Sequence, residues 1–211
     1  MIGAGRGQSP FRALVQAIAA GDARAARRML AAAPGLARER SEEGASRQAA
    51  KDYFLDEIGH YLYAGDTALH IAAAAYQREI AADLIAGGAD IRAKNRHGAE
   101  PLHYAADGVP GSRTWNPRAQ AETIAYLIRA GADPSAVDKR GVTPLHRAVR
   151  TRCAAAVKAL LGGGADARAR NKNGSSPMQL ATLSTGRGGS GSAAAKAEQE
   201  EILRLLKGAT A

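Results

Sequence analysis

The chain is 211 residues long and carries 29 basic against 20 acidic side chains, a net charge of +9, with one cysteine. A single cysteine excludes an intramolecular disulfide and points to a reducing compartment, and no run reaches the ~20 apolar residues of a membrane span. The apolar share of 45% is enough for a continuous core, but with only 4% aromatic residues that core is built from Ala, Leu, Ile and Val.

From the N-terminus, Pro10 to Arg40 has the pattern of a helix pair, with Leu14 and Ala17 on the first helix, Gly21-Asp22 at the turn, and Ala25 and Met29-Leu30 on the second. Ser41 to Ala64 breaks that pattern and gathers Tyr53, Phe54, Tyr61 and Tyr63 with Leu55, Ile58 and Leu62. Gly65 opens the next unit, 65–97. Thr67 is placed to cap a short helix whose buried stripe is Leu69, Ala72 and Ala73. Ile80, Leu84 and Ile85 form the stripe of a second helix, and Gly88-Ala89-Asp90 ends it. The polar run Lys94-Asn95-Arg96-His97 is an exposed turn. The unit 98–140 repeats the plan with an extension near 109–119, which carries Trp115, the chain's one tryptophan. The units 141–173 and 174–211 follow. The last is interrupted by the Gly/Ser run 184–192, whose composition predicts a mobile loop, and closes with Ile202, Leu203, Leu205 and Leu206.

One tetrapeptide frame runs through the four later units: Thr67-Ala68-Leu69-His70, Glu100-Pro101-Leu102-His103, Thr143-Pro144-Leu145-His146 and Ser176-Pro177-Met178-Gln179. Gly65, Gly98, Gly141 and Gly174 stand two positions ahead of each copy, at spacings of 98 − 65 = 33, 141 − 98 = 43 and 174 − 141 = 33. A proline in the second slot suits the first helical turn, where its missing N–H is not needed. With its T-P-L-H-x-A signature at a period of about 33 residues, the chain resembles the ankyrin-repeat family over nearly its whole length. The resemblance implies an all-α fold, an ankyrin-repeat solenoid of stacked helix-turn-helix pairs with β-hairpin-like finger loops. About five repeats form a single domain over 1–211. Residues 10–40, which lack the tetrapeptide, become its degenerate N-terminal cap, and 41–64 an aromatic insertion.

The resemblance also implies roles. The frame histidines His70, His103 and His146 bond to the capping residue and to the neighbouring unit's backbone, so they are stacking elements and not metal ligands. His60 and His97 fall outside that register and are expected as surface groups. Fingertips and first helices line one concave groove, the family's usual contact surface. That places Arg96, His97, Lys139, Arg140, Arg150, Thr151, Lys172 and Asn173 along one face. Trp115 is either an anchor for a partner or a cover for the neighbouring helices. The aromatic insertion is expected to pack against the second unit.

Other motifs carry less. Cys153 has two arginines just ahead of it, Arg150 and Arg152, which would lower a thiol pKa, but no histidine partner in register for a nucleophile. Gly186 to Ser192 lacks the Gly-Lys-Ser/Thr ending of a phosphate loop, and Gly3 to Gly7 has no leading strand. No acid pair, triad or metal spacing stands out, so neither catalytic residues nor a cofactor is expected. The expected function is a non-catalytic protein–protein interaction scaffold. The alternative is a basic groove that binds an acidic partner or nucleic acid. Met1 to Pro10 has no apolar stretch of the secretory-signal kind, and the Arg- and Ala-heavy composition fits a bacterial genome rich in GC. A soluble, cytoplasmic monomer with no membrane association is expected.

Overall fold

Helices begin where the capping residues stand. Ser9 accepts from the Arg12 N–H at 3.2 Å to start α1 (Pro10–Ala19), and Asp22 accepts from Ala25 at 2.8 Å to start α2 (Ala23–Ala32). The next pairs are α3 (Ala68–Ala74) with α4 (Arg78–Ala86), α5 (Pro101–Ala106) with α6 (Pro117–Arg129), and α7 (Pro144–Arg150) with α8 (Ala154–Gly162). α9 (Pro177–Thr182) with α10 (Ala193–Thr210) completes the series. Residues 9–110, 115–183 and 193–210 are described by this computed structural model. The Gly/Ser run 184–192 and the glycines near the N-terminus lie outside them.

The first helices pack in line, α1 on α3, α3 on α5, α5 on α7 and α7 on α9. The second helices do the same from α2 through α10. The result is the two-layer stack of an all-α solenoid. α3 lies between α1, α5 and α4 and is buried at every position, which its alanines permit by letting backbones approach. Leu69, Leu102 and Leu145, the same slot in three units, are each 0% exposed. Each such burial stabilises the stack by about 1.5–3 kcal/mol.

The frame histidines tie unit to unit. His70 Nδ1 accepts from the Thr67 N–H at 3.1 Å, and its Nε2 lies 3.1 Å from the Ala99 carbonyl of the next unit. His103 bridges Glu100 N–H and Val142 O at 3.1 and 3.0 Å, and His146 bridges Thr143 N–H and Ser175 O at 3.3 and 3.0 Å. The fingers are similarly strung together by one backbone bond per unit: Arg96 N–H to Ala64 O, Lys139 N–H to His97 O and Lys172 N–H to Arg140 O. Each fingertip turns on an Asn or Asp, since Asn95, Asp138 and Asn171 accept through Oδ1 from N–H groups two and four residues on. Gly98 and Gly141 sit at φ +76 and +71, and a Cβ there would meet the next finger's backbone at 3.0 and 2.9 Å. Only glycine combines that backbone angle with so close a neighbour.

Two features depart from the repeat. The extension of the third unit begins earlier than expected, because α5 stops at Ala106 and α6 starts only at Pro117, capped by Asn116. In addition, the insertion 41–64 is not only aromatic cover. It forms a short antiparallel ribbon, β1 (Phe54–Leu55) paired with β2 (His60–Tyr61). Ala45, Leu55 and Leu62 are buried, and Tyr53, Ile58 and Tyr63 pack on the core.

Candidate functional site

A cleft of about 670 Å³ opens between the fingertips and the C-terminal ends of α1, α3, α5 and α7. The ribbon of the insertion forms its remaining wall, through Glu57 to Tyr61 and Tyr63. The floor is a charged network. Arg147 Nη1 donates to Asp107 at 2.8 Å, and its Nη2 lies 3.5 Å from Asp138. Burial pushes the Asp107 carboxyl up, but Arg147 and then His60 pull it further down, well below the usual carboxylate range. Burial opposes the Arg147 charge, yet Asp107, Tyr104 and Asp138 hold its pKa above the ordinary value. Asp107 and Arg147 stay ionised because each neutralises the other.

Beside that network the Tyr104 hydroxyl bonds the buried Asp66 carboxylate at 2.8 Å, where Asn95 also donates at 2.9 Å. Burial and Asp66 raise the Tyr104 pKa, so the hydroxyl remains a donor. Tyr76, at φ 55, sends its hydroxyl to the Asp107 carbonyl at 2.6 Å. That positive φ recurs at Arg152 (φ 59) in the matching turn of α7–α8, where Gly21 serves in α1–α2. The first, second and fourth units share this turn geometry, and two bulky residues tolerate it.

The residues singled out from the sequence divide into two sets. His97, Trp115, Lys139, Arg140, Arg150 and Thr151 line the cleft, while Arg96, Lys172 and Asn173 do not. Lys139 and Arg140 are exposed on the rim. Thr151 is 6% exposed, and its hydroxyl donates to the Arg147 carbonyl at 3.0 Å. Arg96 faces the insertion: it donates to the Ala45 carbonyl and lies over the Tyr63 ring at 5.3 Å. His97 meets the same ring edge-on at 4.8 Å. Trp115 is half-buried, with its indole N–H donated to Gln120 at 3.0 Å. Lys172 and Asn173 are exposed on the next fingertip.

Two expectations are corrected. His60 is not a surface group: it stacks on Tyr104 at 4.3 Å and approaches Asp107 at 3.9 Å. The Cys153 thiol is not activated by its arginine neighbours. It is fully buried, and burial pushes it up to about 12.

Asp107, Tyr104 and Arg147 are the cleft residues that reading the units separately passes over. Superposing the four frames reveals two of them. Tyr104 and Arg147 follow the frame histidine where the second and fifth units have Ile71 and Leu180. A charge or phenol in an otherwise apolar slot is the signal. Among the described residues, no group of three His, Cys, Asp or Glu side chains is arranged to hold a metal ion, and no helix is long and apolar enough to cross a membrane.

Comparison with known families agrees with the stacked geometry. A model of the ankyrin repeat matches residues 64–96 and again 97–139, and a model of ankyrin repeats in many copies matches 127–181. No curated protein matches the chain. The matched stretch, 64–181, spans the second to fifth first-layer helices, α3 through α9.

Proposed function

The chain belongs to the ankyrin-repeat family, whose repeats generally mediate protein–protein interaction, and we propose that it is a non-catalytic scaffold holding a partner protein against its fingertips and first helices. One observation supports this reading: the cleft gathers His97, Trp115, Lys139, Arg140 and Arg150, from two fingers and three units, into one concave site. Lys172 and Asn173 continue the line on the next fingertip. Within this reading the protein works as a cytoplasmic monomer without a cofactor, and its partner is acidic where it meets Lys139 and Arg140.

Affinity capture from host extract tests this. The wild-type domain should retain a partner that the double variant Lys139→Glu, Arg140→Glu releases, and capture should weaken as salt rises. A partner retained equally by both proteins would exclude this face. The net charge of +9 supports a second reading, a nucleic-acid binder. Carboxylates Glu57, Asp107 and Asp138 among the lining residues oppose it. Nonspecific duplex DNA should therefore give no mobility shift even at low salt.

A further inference from the structure

The ribbon of the insertion changes what the groove can hold. Without residues 57–63 the cleft would be an open trough. With them, Tyr61 and Tyr63 form a wall facing the third and fourth repeats. The Tyr63 ring is fixed between Arg96 at 5.3 Å and His97 at 4.8 Å. Trp115 also lines the cleft and is fixed by its bond to Gln120, whose own amide donates to the Ala105 carbonyl at 3.0 Å. Held rings lose little conformational freedom on binding, the property that makes aromatic side chains good anchors. A volume of about 670 Å³ lies within the range of ~300–1,000 Å³ typical of pockets that enclose a compact group.

The charges are not evenly placed. Asp107 and Asp138 are both engaged by Arg147 on the floor. Lys139 and Arg140 on the rim make no side-chain ion pair among the described residues. Lys172, exposed on the next fingertip outside the cleft, continues the positive line. The site thus offers aromatic rings on its wall and cations at its edge.

We propose that the cleft receives an aromatic side chain flanked by carboxylates, presented by an acidic segment of the partner protein, with Tyr61, Tyr63 and Trp115 around the ring and Lys139 and Arg140 on the carboxylates. This rests on the reading that the fingertip face binds a protein, and it specifies which chemistry that protein shows. The insertion becomes the specificity element of the scaffold: repeats alone supply a groove, and the ribbon supplies the pocket.

Calorimetric titration with three synthetic peptides tests it. The first alternates Glu and Gly around one central Phe, the second replaces every Glu by Gln, and the third replaces Phe by Ala. The first should bind at least about tenfold more tightly than either of the others. Lys139→Glu with Arg140→Glu should erase the preference for Glu over Gln. Tyr61→Ser, at a position that is 36% exposed and outside the core, should erase the preference for Phe over Ala. Equal binding of all three peptides, or binding of none, overturns the proposal. Phenylacetate binding as tightly as the first peptide would overturn the assignment to a protein segment. Host-extract capture run in parallel separates the two levels. Capture that depends on Lys139 and Arg140, with no peptide preference, rejects the pocket chemistry alone, whereas capture indifferent to them rejects the fingertip face itself.

Discussion

The Nδ1 atoms of His70, His103 and His146 accept backbone N–H groups, so each ring is neutral with its proton on Nε2, facing a carbonyl of the next unit. Protonating Nδ1 would remove the acceptor and bury a charge. Burial accordingly holds all three below the ordinary value of 6.5, His103 at about 4. The unfolded chain then binds protons that the fold refuses. Stability is full above 6.5 and falls as pH drops toward about 4, and His103 alone accounts for on the order of 3 kcal/mol. Thermal melts across that window should show a steep fall. The fifth unit points to a control, because Gln179 accepts from the Ser176 N–H at 2.9 Å in the same slot. His103→Gln should flatten the acid limb; a melting profile unchanged by it would mean that His103 does not couple protons to folding. Glu100 acts in the opposite sense. It stands where other units have Thr67, Thr143 or Ser176, and burial raises its pKa, partly offset by Arg92 and Lys94. Its stabilising protonated form is lost as pH rises through that raised value. Glu100→Thr should raise neutral-pH stability by about 1 kcal/mol, measured by urea unfolding, with little gain below pH ~4.5.

At the level of elements, the helices were legible because their signals are local. Ser9, Asp22, Thr143 and Ser176 cap them through bonds to residues three positions on, and five prolines mark first turns. The ribbon was not legible. Each of its strands is two residues long, and it is held by distant partners: Arg12 at the Asp52 carbonyl and the Tyr53 ring, and Arg96 at the Ala45 carbonyl. Strand propensity over two residues says nothing; the docking surface decides. The same holds for the floor of the cleft, where Asp107 and Arg147 are 40 residues apart and meet only once α5 and α7 stack. The extension after α5 depends on a comparably tight fit. A Cβ on Gly108 would stand 2.7 Å from Cys153 Sγ, 3.0 Å from Tyr76 Oη and 3.1 Å from Trp115 Nε1. Gly108→Val should therefore displace the Trp115 segment and the Tyr76 hydroxyl together. It should shift the tryptophan fluorescence to the red and destabilise the fold by about 1–3 kcal/mol. An unmoved emission maximum would show that the segment accommodates the side chain without leaving the cleft.

For the whole molecule, stability is a sum of unit and nearest-neighbour terms, so the position of a lesion matters as much as its chemistry. Leu145 and Leu206 are both 0% exposed. Replacing either by Asp buries a charge with no partner, a penalty on the order of 4 kcal/mol or more once lost packing is included. The consequences should differ. Leu145 lies in α7, between α5 and α9 and against α8. Leu145→Asp breaks the stack in its interior and leaves the units on either side with one exposed face each. Leu206 belongs to α10, which ends the series against α8 and α9. Leu206→Asp should fray that pair while the units before it keep their contacts. Circular dichroism should show a large loss of helicity for the first variant and only a small one for the second. Hydrogen exchange should map the second variant's loss to residues after α8. Equal losses would mean that the chain unfolds as one indivisible unit. In that case the insertion and the fourth repeat, which face each other across the cleft, would couple the stack more strongly than its helix-on-helix contacts do.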